Sequence, residues 1–250
     1  MYKSYGELST AVYEKTKPIG SSINGDIPYY ISRLQHITSP ILEPASGTGR
    51  MLFPLIDAGF QVVGVDTSKE MLDLCKSYAT KNGYDPTLIQ DDVTTVQLHQ
   101  QFGAIVLPTG SFSLLTSREQ AKKALINFYH HLEAGGKLII DIISPGPIED
   151  DHTVSHIHLT KEIGIRMTST LLSNNWIEQT FTKEIVYEKW TNGEKTDTEL
   201  QTLAIRWYGV EEFRSFLSEV GFMDIVVSSD YTYQQPAHCD ATTITFEAKK

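Results

Sequence analysis

Short apolar runs alternate with amphipathic stretches over residues 40–143, and few architectures accommodate that alternation. The runs PILEP, FQVVGVD, TLIQDD, FGAIVLP and KLIIDII have the length of strands, and helical patterns separate most of them. Strands connected through helices run parallel in one sheet, so the pattern predicts a doubly wound α/β sheet with helices on both faces. The strands also lack a clean polar–apolar alternation, which is typical of burial on both sides.

Other segments flank or interrupt this α/β core. Residues 1–38 contain two helical pieces broken at KPIGSSINGD, and we predict that they form an N-terminal helical cap. Residues 144–208 are rich in Thr, Ile, Val and aromatic residues and carry the hairpin signal TNGEK, so an inserted antiparallel β meander is predicted there. Residues 209–250 return to one helix and two strands of the core. We therefore expect residues 1–250 to form a single domain.

The charge, the length of the apolar runs and the cysteine content predict which classes of partner and compartment the protein has. Thirty-one acidic residues against 21 Lys and Arg give a formal charge of −10, and no basic run is present. Nucleic-acid affinity depends on Lys and Arg, so no nucleic-acid partner is expected. The longest apolar runs are too short to span a membrane, and the N-terminus has no apolar signal core. Cys75 and Cys239 are far apart without a CxxC motif, and a cytoplasmic protein with reduced thiols is predicted.

A glycine turn follows the first predicted strand, in the stretch ILEPASGTGR. Gly47 and Gly49 leave the backbone accessible to a ligand. A dinucleotide fingerprint needs a third glycine where Leu52 stands, and Glu43 before the turn repels a phosphate but suits a cation. Asp66, 17 residues after Gly49 at the end of the second strand, is placed to accept hydrogen bonds from ribose hydroxyls.

These features together indicate a nucleoside that carries positive charge rather than phosphate. The QDD at the end of the third strand adds an acid that an adenine amino group can donate to. Asp91 and Asp92 point in opposite directions along that strand, and we choose Asp92. S-adenosyl-L-methionine has the ribose, the adenine, an ammonium and a sulfonium, whereas NAD does not fit.

The motifs LEPASGTGR, VVGVDTSKEML, LIQDDV, FGAIVLPTGSFSLL and LEAGGKLIIDI occur in the order found in class I S-adenosylmethionine-dependent methyltransferases, and the chain resembles that family. YGELSTAVYE and RWYGVEEFRSFLSEVGF are similar to its early helix and its late helix and strand. The resemblance implies a Rossmann-like seven-stranded sheet with the last strand antiparallel. It also implies methyl transfer to a small-molecule N or O acceptor, with S-adenosyl-L-homocysteine as product. The β insert resembles the substrate-covering meander of small-molecule N-methyltransferases.

The resemblance also implies roles for individual residues. Glu43 and the backbone of Ala45, Gly47 and Gly49 are expected to bind the methionine end of the cofactor. Asp66 with Thr67 is expected to bind the ribose, and Met71, Asp92 and Val93 to contact the adenine. Pro108, Thr109 and Ser111 are expected to contact the ammonium or to line the path to the acceptor.

Catalysis is less defined by the sequence. Methyl transfer from a sulfonium requires mainly alignment and exclusion of water, and a base only if the acceptor must lose a proton. No residue stands out as that base; Tyr13, His152, His156 and Tyr208 are candidates by position only. We predict that the N-terminal cap and the insert form the acceptor cleft.

Residues 149–158, EDDHTVSHIH, contain metal-ligand residue types, including His152, His156 and His158. We interpret this stretch as a loop over the active site and expect no metal. Trp176, Trp190 and Trp207 are expected in the meander core.

Two other classes stay open on the sequence alone. One is a nucleotide-dependent oxidoreductase, which Leu52 and Glu43 disfavour. The other is a non-catalytic S-adenosylmethionine-binding protein that lacks an acceptor site. An exposed meander edge is a possible contact for a homodimer.

Overall fold

The computed structural model describes residues 5–143 and 152–250. The strands of its main sheet are β1 (Ile41–Pro44), β2 (Val62–Asp66), β3 (Thr87–Gln90), β4 (Phe102–Leu107), β5 (Leu132–Ile143), β10 (Met223–Ser229) and β11 (Thr243–Lys249). The strand order is β10–β11–β5–β4–β1–β2–β3. Strand β11 runs antiparallel to both of its neighbours, whereas β1 to β5 pair in parallel. The predicted seven-stranded α/β fold is confirmed.

Helices cover both faces of this sheet, as predicted. They are α2 (Asp26–Leu34), α3 (Leu52–Asp57), α4 (Lys69–Asn82), α5 (Arg118–His131) and α6 (Val210–Val220), and a further helix, α1 (Glu7–Thr16), precedes them in the chain. One core contains Tyr30 of α2, Phe53 of α3 and Cys75 of α4. The core on the other face contains Leu125 of α5 and Phe213 of α6. No helix in the described ranges has the length and apolar character that a membrane span needs.

The strand order reverses next to β1, which pairs with β2 on one side and with β4 on the other. In an open α/β sheet, ligands bind at such a reversal, outside the carboxyl ends of the strands. The glycine turn after β1 and the PTG turn after β4 therefore meet at the same crevice.

Three helix boundaries have local causes. The helix after β1 begins at Leu52, so Pro54 lies in its first turn, where no backbone donor is needed. Helix α4 is capped by the Ser68 side chain, which accepts from the Met71 N–H. Helix α5 ends at His131, because the next residues already belong to β5.

The insert forms a second sheet of four antiparallel strands, β6 (His152–His158), β7 (Ile163–Asn175), β8 (Thr180–Thr191) and β9 (Glu194–Arg206). Its first strand corrects the prediction of a loop at residues 149–158; Glu149, Asp150 and Asp151 lie outside the described residues. The alternation there is too weakly apolar to indicate a strand. The expected core position of Trp176 and Trp190 is also wrong, since both side chains are exposed.

The first helix packs on this second sheet. Leu8 and Val12 of α1 form a buried cluster with Ile165, Ile185 and Tyr187 of β7 and β8. Residues two apart on a strand share a face, so β9 presents Gln201, Leu203 and Ile205 on this same side. Helix α1 and the insert therefore pack as one unit beside the carboxyl ends of the main sheet, whereas α2 of the predicted cap packs in the core of the main sheet.

Candidate functional site

A cavity of about 570 Å³ lies between the carboxyl ends of the main strands and the unit made by α1 and β9. Ten of the residues singled out in the sequence line it: Tyr13, Ala45, Gly47, Asp66, Thr67, Met71, Asp92, Val93, Thr109 and Ser111. They come from the carboxyl ends of four strands with the turns that follow them and from two helices, so the fold brings together positions up to 98 residues apart in this list. The topological reversal next to β1 explains why they converge.

Three of the predicted cofactor residues do not line the cavity. Gly49 faces the core instead: a Cβ built there is 2.5 Å from the Phe53 ring and 2.8 Å from the Cys75 sulfur. Its φ of +88° also favours glycine. Packing and turn geometry therefore require a glycine at this position. Pro108 is buried behind the turn, and Glu43 lies behind the cavity wall.

Most of the residues predicted as catalytic candidates also do not line the cavity. Tyr208 is buried among Phe112, Phe213 and Phe216 and does not line the cavity, so the structure does not support its assignment to the acceptor cleft. Its position follows from α6, whose apolar side packs on the sheet next to it. Only Tyr13 of the four catalytic candidates lines the cavity.

The histidines lie elsewhere. His152 and His156 are exposed on β6, on the face opposite to the one that packs on α1. The His152 Nδ1 lies 3.0 Å from the Thr170 hydroxyl. Within the described ranges, no group of three His, Cys, Asp or Glu side chains is placed to hold a metal ion.

Asp66 is the centre of the polar wall of the cavity. Its Oδ2 accepts a hydrogen bond from the Gly47 N–H at 2.8 Å, and its Oδ1 accepts one from the Ser68 N–H at 2.8 Å. A Cβ on Gly47 meets nothing within 4 Å, so this turn is open towards a ligand. Burial raises the pKa of Asp66, and these backbone donors partly offset the rise. The carboxylate is thus fixed in orientation and keeps lone pairs for a diol.

A buried charged cluster lies behind the glycine turn. Glu43 is 2% exposed, and its Oε2 has no hydrogen-bond partner in the described part of the chain. Burial raises the pKa of Glu43 to about 8, while the Arg50 guanidinium acts in the opposite direction. Arg50 is itself paired with Asp26, with Nη2 2.5 Å from Oδ2. An unpartnered buried carboxylate is costly unless a cation binds near it.

Two non-glycine residues with a strained backbone conformation lie at the same place. Ala45 after β1 and Thr109 after β4 both have positive φ, at 57° and 55°, and both line the cavity. Non-glycine residues in this conformation are unfavourable by about 1–2 kcal/mol each and cluster at functional sites. Thr109 is held there by Asp141, whose Oδ2 accepts from the Thr109 N–H at 2.7 Å. The sequence analysis missed Asp141, a buried acid near the end of β5.

The residues predicted to contact adenine come from α4 and from the turn after β3. Met71 is buried and presents an apolar wall, with Val93 beside the same cavity. One oxygen of Asp92 accepts hydrogen bonds from the Thr94 N–H and hydroxyl, at 2.8 and 2.7 Å. Its other oxygen has no hydrogen bond to the described residues and can accept from an amino group.

Several cavity residues were missed because they belong to the cap and the insert. Tyr5 and Lys17 flank α1, and β9 contributes Gln201, Leu203 and Ile205. Burial raises the pKa of Tyr5 to about 12, so its hydroxyl keeps its proton at neutral pH. Gln201, Leu203 and Ile205 are two residues apart, which predicts that they share one face of a strand. The sequence does not show that this face is the one towards the main sheet. The cavity thus has one wall with the Asp66 and Asp92 carboxylates and an opposite wall that is partly aromatic.

Comparisons with known proteins agree with this geometry. The profile of the family described as "Methyltransferase domain" matches residues 41–136. A glycine/sarcosine N-methyltransferase of Aphanothece halophytica is 36% identical over 124 residues, which cover 48% of this chain and 46% of that enzyme. This chain therefore aligns with less than half of that relative's length.

Two solved structures resemble nearly the whole chain. An S-adenosylmethionine-dependent methyltransferase from Clostridium acetobutylicum has a TM-score of 0.75 at 19% identity, with 95% of this chain and 96% of that chain covered. The sugar N-methyltransferase KedS8 from Streptoalloteichus has a TM-score of 0.77 at 19% identity, with 98% and 94% covered. At these identities the likeness shows a shared fold.

Proposed function

We propose that the protein is a class I methyltransferase and that it methylates the nitrogen of a small-molecule amine. The methyltransferase-domain profile that matches residues 41–136 supports this class. S-adenosyl-L-methionine is the proposed donor and S-adenosyl-L-homocysteine the product. When bound, this cofactor supplies an electrophilic methyl group on its sulfonium. The observation that carries the proposal is the set of titratable groups that line the cavity.

The described residues fit this cofactor. Asp66 is oriented by two backbone donors and would hold the ribose hydroxyls. Met71, Val93 and the second oxygen of Asp92 would hold the adenine. Gly47 offers an open turn, and the unpartnered Oε2 of Glu43 would be compensated by the ammonium of the methionine end.

The acceptor atom is inferred from whether the cavity offers a base that could remove a proton from it. In the described ranges, the titratable side chains that line the cavity are Tyr5, Tyr13, Lys17, Asp66 and Asp92. Burial raises the pKa of both tyrosines, so neither is a base at neutral pH. Both carboxylates fall on the proposed nucleoside side. A hydroxyl acceptor needs a base during attack, whereas a neutral amine carries its own lone pair.

The chain's residues then act by positioning and by excluding water. The Tyr5 and Tyr13 hydroxyls can accept a hydrogen bond from an amine N–H, and Leu203 and Ile205 of β9 close the cavity on that side. Holding the two reactants in this way accounts for several kcal/mol of rate acceleration. The named relatives support an amine: one acts on glycine and sarcosine, and KedS8 is a sugar N-methyltransferase.

The test is transfer from methyl-labelled S-adenosylmethionine to pairs of acceptors that differ only in an amine or a hydroxyl. Glycine with glycolate, and an aminosugar with its parent sugar, form such pairs. We expect label only in amine products and a rate that rises with pH as the amine loses its proton. Label in the hydroxyl members alone would refute nitrogen transfer, and cofactor binding without turnover on any acceptor would favour a non-catalytic binding protein.

A further inference from the structure

One cation among the described residues that line the cavity is not explained by the fold. Lys17 directly follows α1, and its Nζ lies 5.1 Å from the centre of the Tyr13 ring. Its side chain forms no hydrogen bond or ion pair with residues 5–143 or 152–250. The other charged side chains that line the cavity, Asp66 and Asp92, follow or end strands β2 and β3. Among the described lining residues, the positive charge therefore comes from the segment after α1, and the two negative charges come from the ends of β2 and β3.

The surroundings of Lys17 are unfavourable for an isolated positive charge. Burial lowers its pKa, and the nearby Arg50 guanidinium lowers it further. Arg50 is also close to Tyr13 and to Glu43, where it affects the pKa of both side chains. Lys17, Tyr13 and Glu43 are therefore all near enough to one guanidinium to have their pKa lowered by it. A partly desolvated ammonium beside another cation gains most from a bound anion.

We propose that Lys17 binds the α-carboxylate at the methionine end of S-adenosylmethionine. The inference depends on the proposed function. In this cofactor the ammonium and the carboxylate are attached to one carbon, so a cation must lie close to the acid that receives the ammonium. In the proposed function that acid is Glu43, which lies behind the cavity wall, and Arg50 is already paired with Asp26. Lys17 remains as the cavity-lining cation within the described residues.

The assignment predicts a binding difference between two ligands that share a nucleoside. S-adenosylhomocysteine carries the amino-acid carboxylate, whereas 5′-methylthioadenosine lacks the whole amino-acid group. In Lys17→Met the aliphatic stem over Tyr13 is largely kept and the charge is lost. Calorimetry should show S-adenosylhomocysteine binding weakened by at least tenfold, roughly 1.4 kcal/mol, and 5′-methylthioadenosine binding within twofold of wild type.

Lys15→Met is the matched control. Lys15 lies in the last turn of α1, two residues before Lys17, and does not line the cavity. This control variant should leave both affinities unchanged, and Lys17→Arg should bring S-adenosylhomocysteine binding back to within about threefold of wild type. Unchanged S-adenosylhomocysteine affinity in a folded Lys17→Met protein overturns the assignment, as does an equal loss for both ligands. A wild-type protein that binds neither ligand overturns the proposed function itself, and this assignment with it.

Discussion

The Glu199 carboxylate on β9 accepts a hydrogen bond from the Leu8 N–H at 2.7 Å, across 191 residues of sequence. It also accepts from the Gly6 and Ser9 N–H groups, so it caps the N-terminus of α1. A Cβ on Gly6 is 2.5 Å from this carboxylate, which explains why glycine stands there. The contact joins the N-terminal cap to the insert on the side of the cavity. It makes the two segments a single wall.

Loss of this cap should loosen α1 without unfolding the core. We expect Glu199→Ala to destabilise α1 by about 1–2 kcal/mol, the usual effect of losing an N-cap acceptor. Hydrogen exchange should quicken over residues 6–16 and stay unchanged in β1, β4 and β5. Glu194→Ala, at an exposed position of the same strand, is the control and should have no such effect. Unchanged exchange over α1 in Glu199→Ala would show that other contacts hold the helix.

Asp66 tests the nucleoside side of the site. Asp66→Asn keeps the shape of the side chain but removes the charged acceptor, and binding of S-adenosylhomocysteine should weaken by roughly 2–3 kcal/mol, about 30–150-fold. Calorimetry on the folded variant measures this directly. Asp73→Asn on the exposed side of α4 is the control and should bind normally. Equal affinity in the Asp66 variant would mean that the ribose is held elsewhere.

Glu43 should release a proton when the cofactor product binds. Burial raises the pKa of this carboxyl to about 8, so it is largely protonated at pH 7 in the free protein. A bound ammonium favours the carboxylate, and the proton must leave. Titrations at pH 7 in two buffers of different ionisation enthalpy should therefore give different apparent heats, and the difference should vanish in Glu43→Gln. Buffer-independent heats in wild type would contradict this role.

The same shift has a consequence for the free protein. Because the folded pKa of Glu43 lies above its ordinary value of 4.5, the folded state holds a proton that the unfolded state has released between about pH 4.5 and 8. The free energy of unfolding should therefore fall as pH rises through that window, and it should fall less in Glu43→Gln. Chemical denaturation at pH 5, 7 and 9 checks the direction. A steeper fall in Glu43→Gln would contradict it.

Leu203 tests whether β9 faces the acceptor. Leu203→Trp should fill that side of the cavity, so amine methylation falls at least tenfold while S-adenosylhomocysteine affinity stays within about threefold, roughly 0.7 kcal/mol. Leu200→Trp changes the opposite face of the same strand and should leave both unchanged. Normal turnover in a folded Leu203→Trp protein would place the acceptor cleft elsewhere.

The sequence predicts the core well because its signals are local. Glu43, Gly47 and Asp66 stand at fixed spacings at strand ends, and the parallel order of β1, β2 and β4 then determines that they meet. The outer wall depends on contacts between distant segments. Tyr208 lies two residues after the strand that lines the cavity, yet Phe112 and Phe213 enclose it in the core. Lys17 lies at the end of a helix, and no local motif shows that it lines the cavity.

The missing third glycine is explained in the same way. Leu52 occupies that position, and a Cβ on Gly64 of β2 is 2.8 Å from its side chain. The close packing of helix on strand is thus achieved by a glycine on the neighbouring strand. A local motif cannot show this exchange, because the two residues belong to different elements.

Calorimetric titration of the wild-type protein with S-adenosylhomocysteine and with NAD tests the central claim most directly. The cavity has an oriented acid for a ribose, an unpartnered buried acid for a cation and a single described cation among its lining residues, so we predict saturable one-to-one binding of S-adenosylhomocysteine and none of NAD. Binding of NAD with no binding of S-adenosylhomocysteine would contradict the account and point to a nucleotide-dependent oxidoreductase.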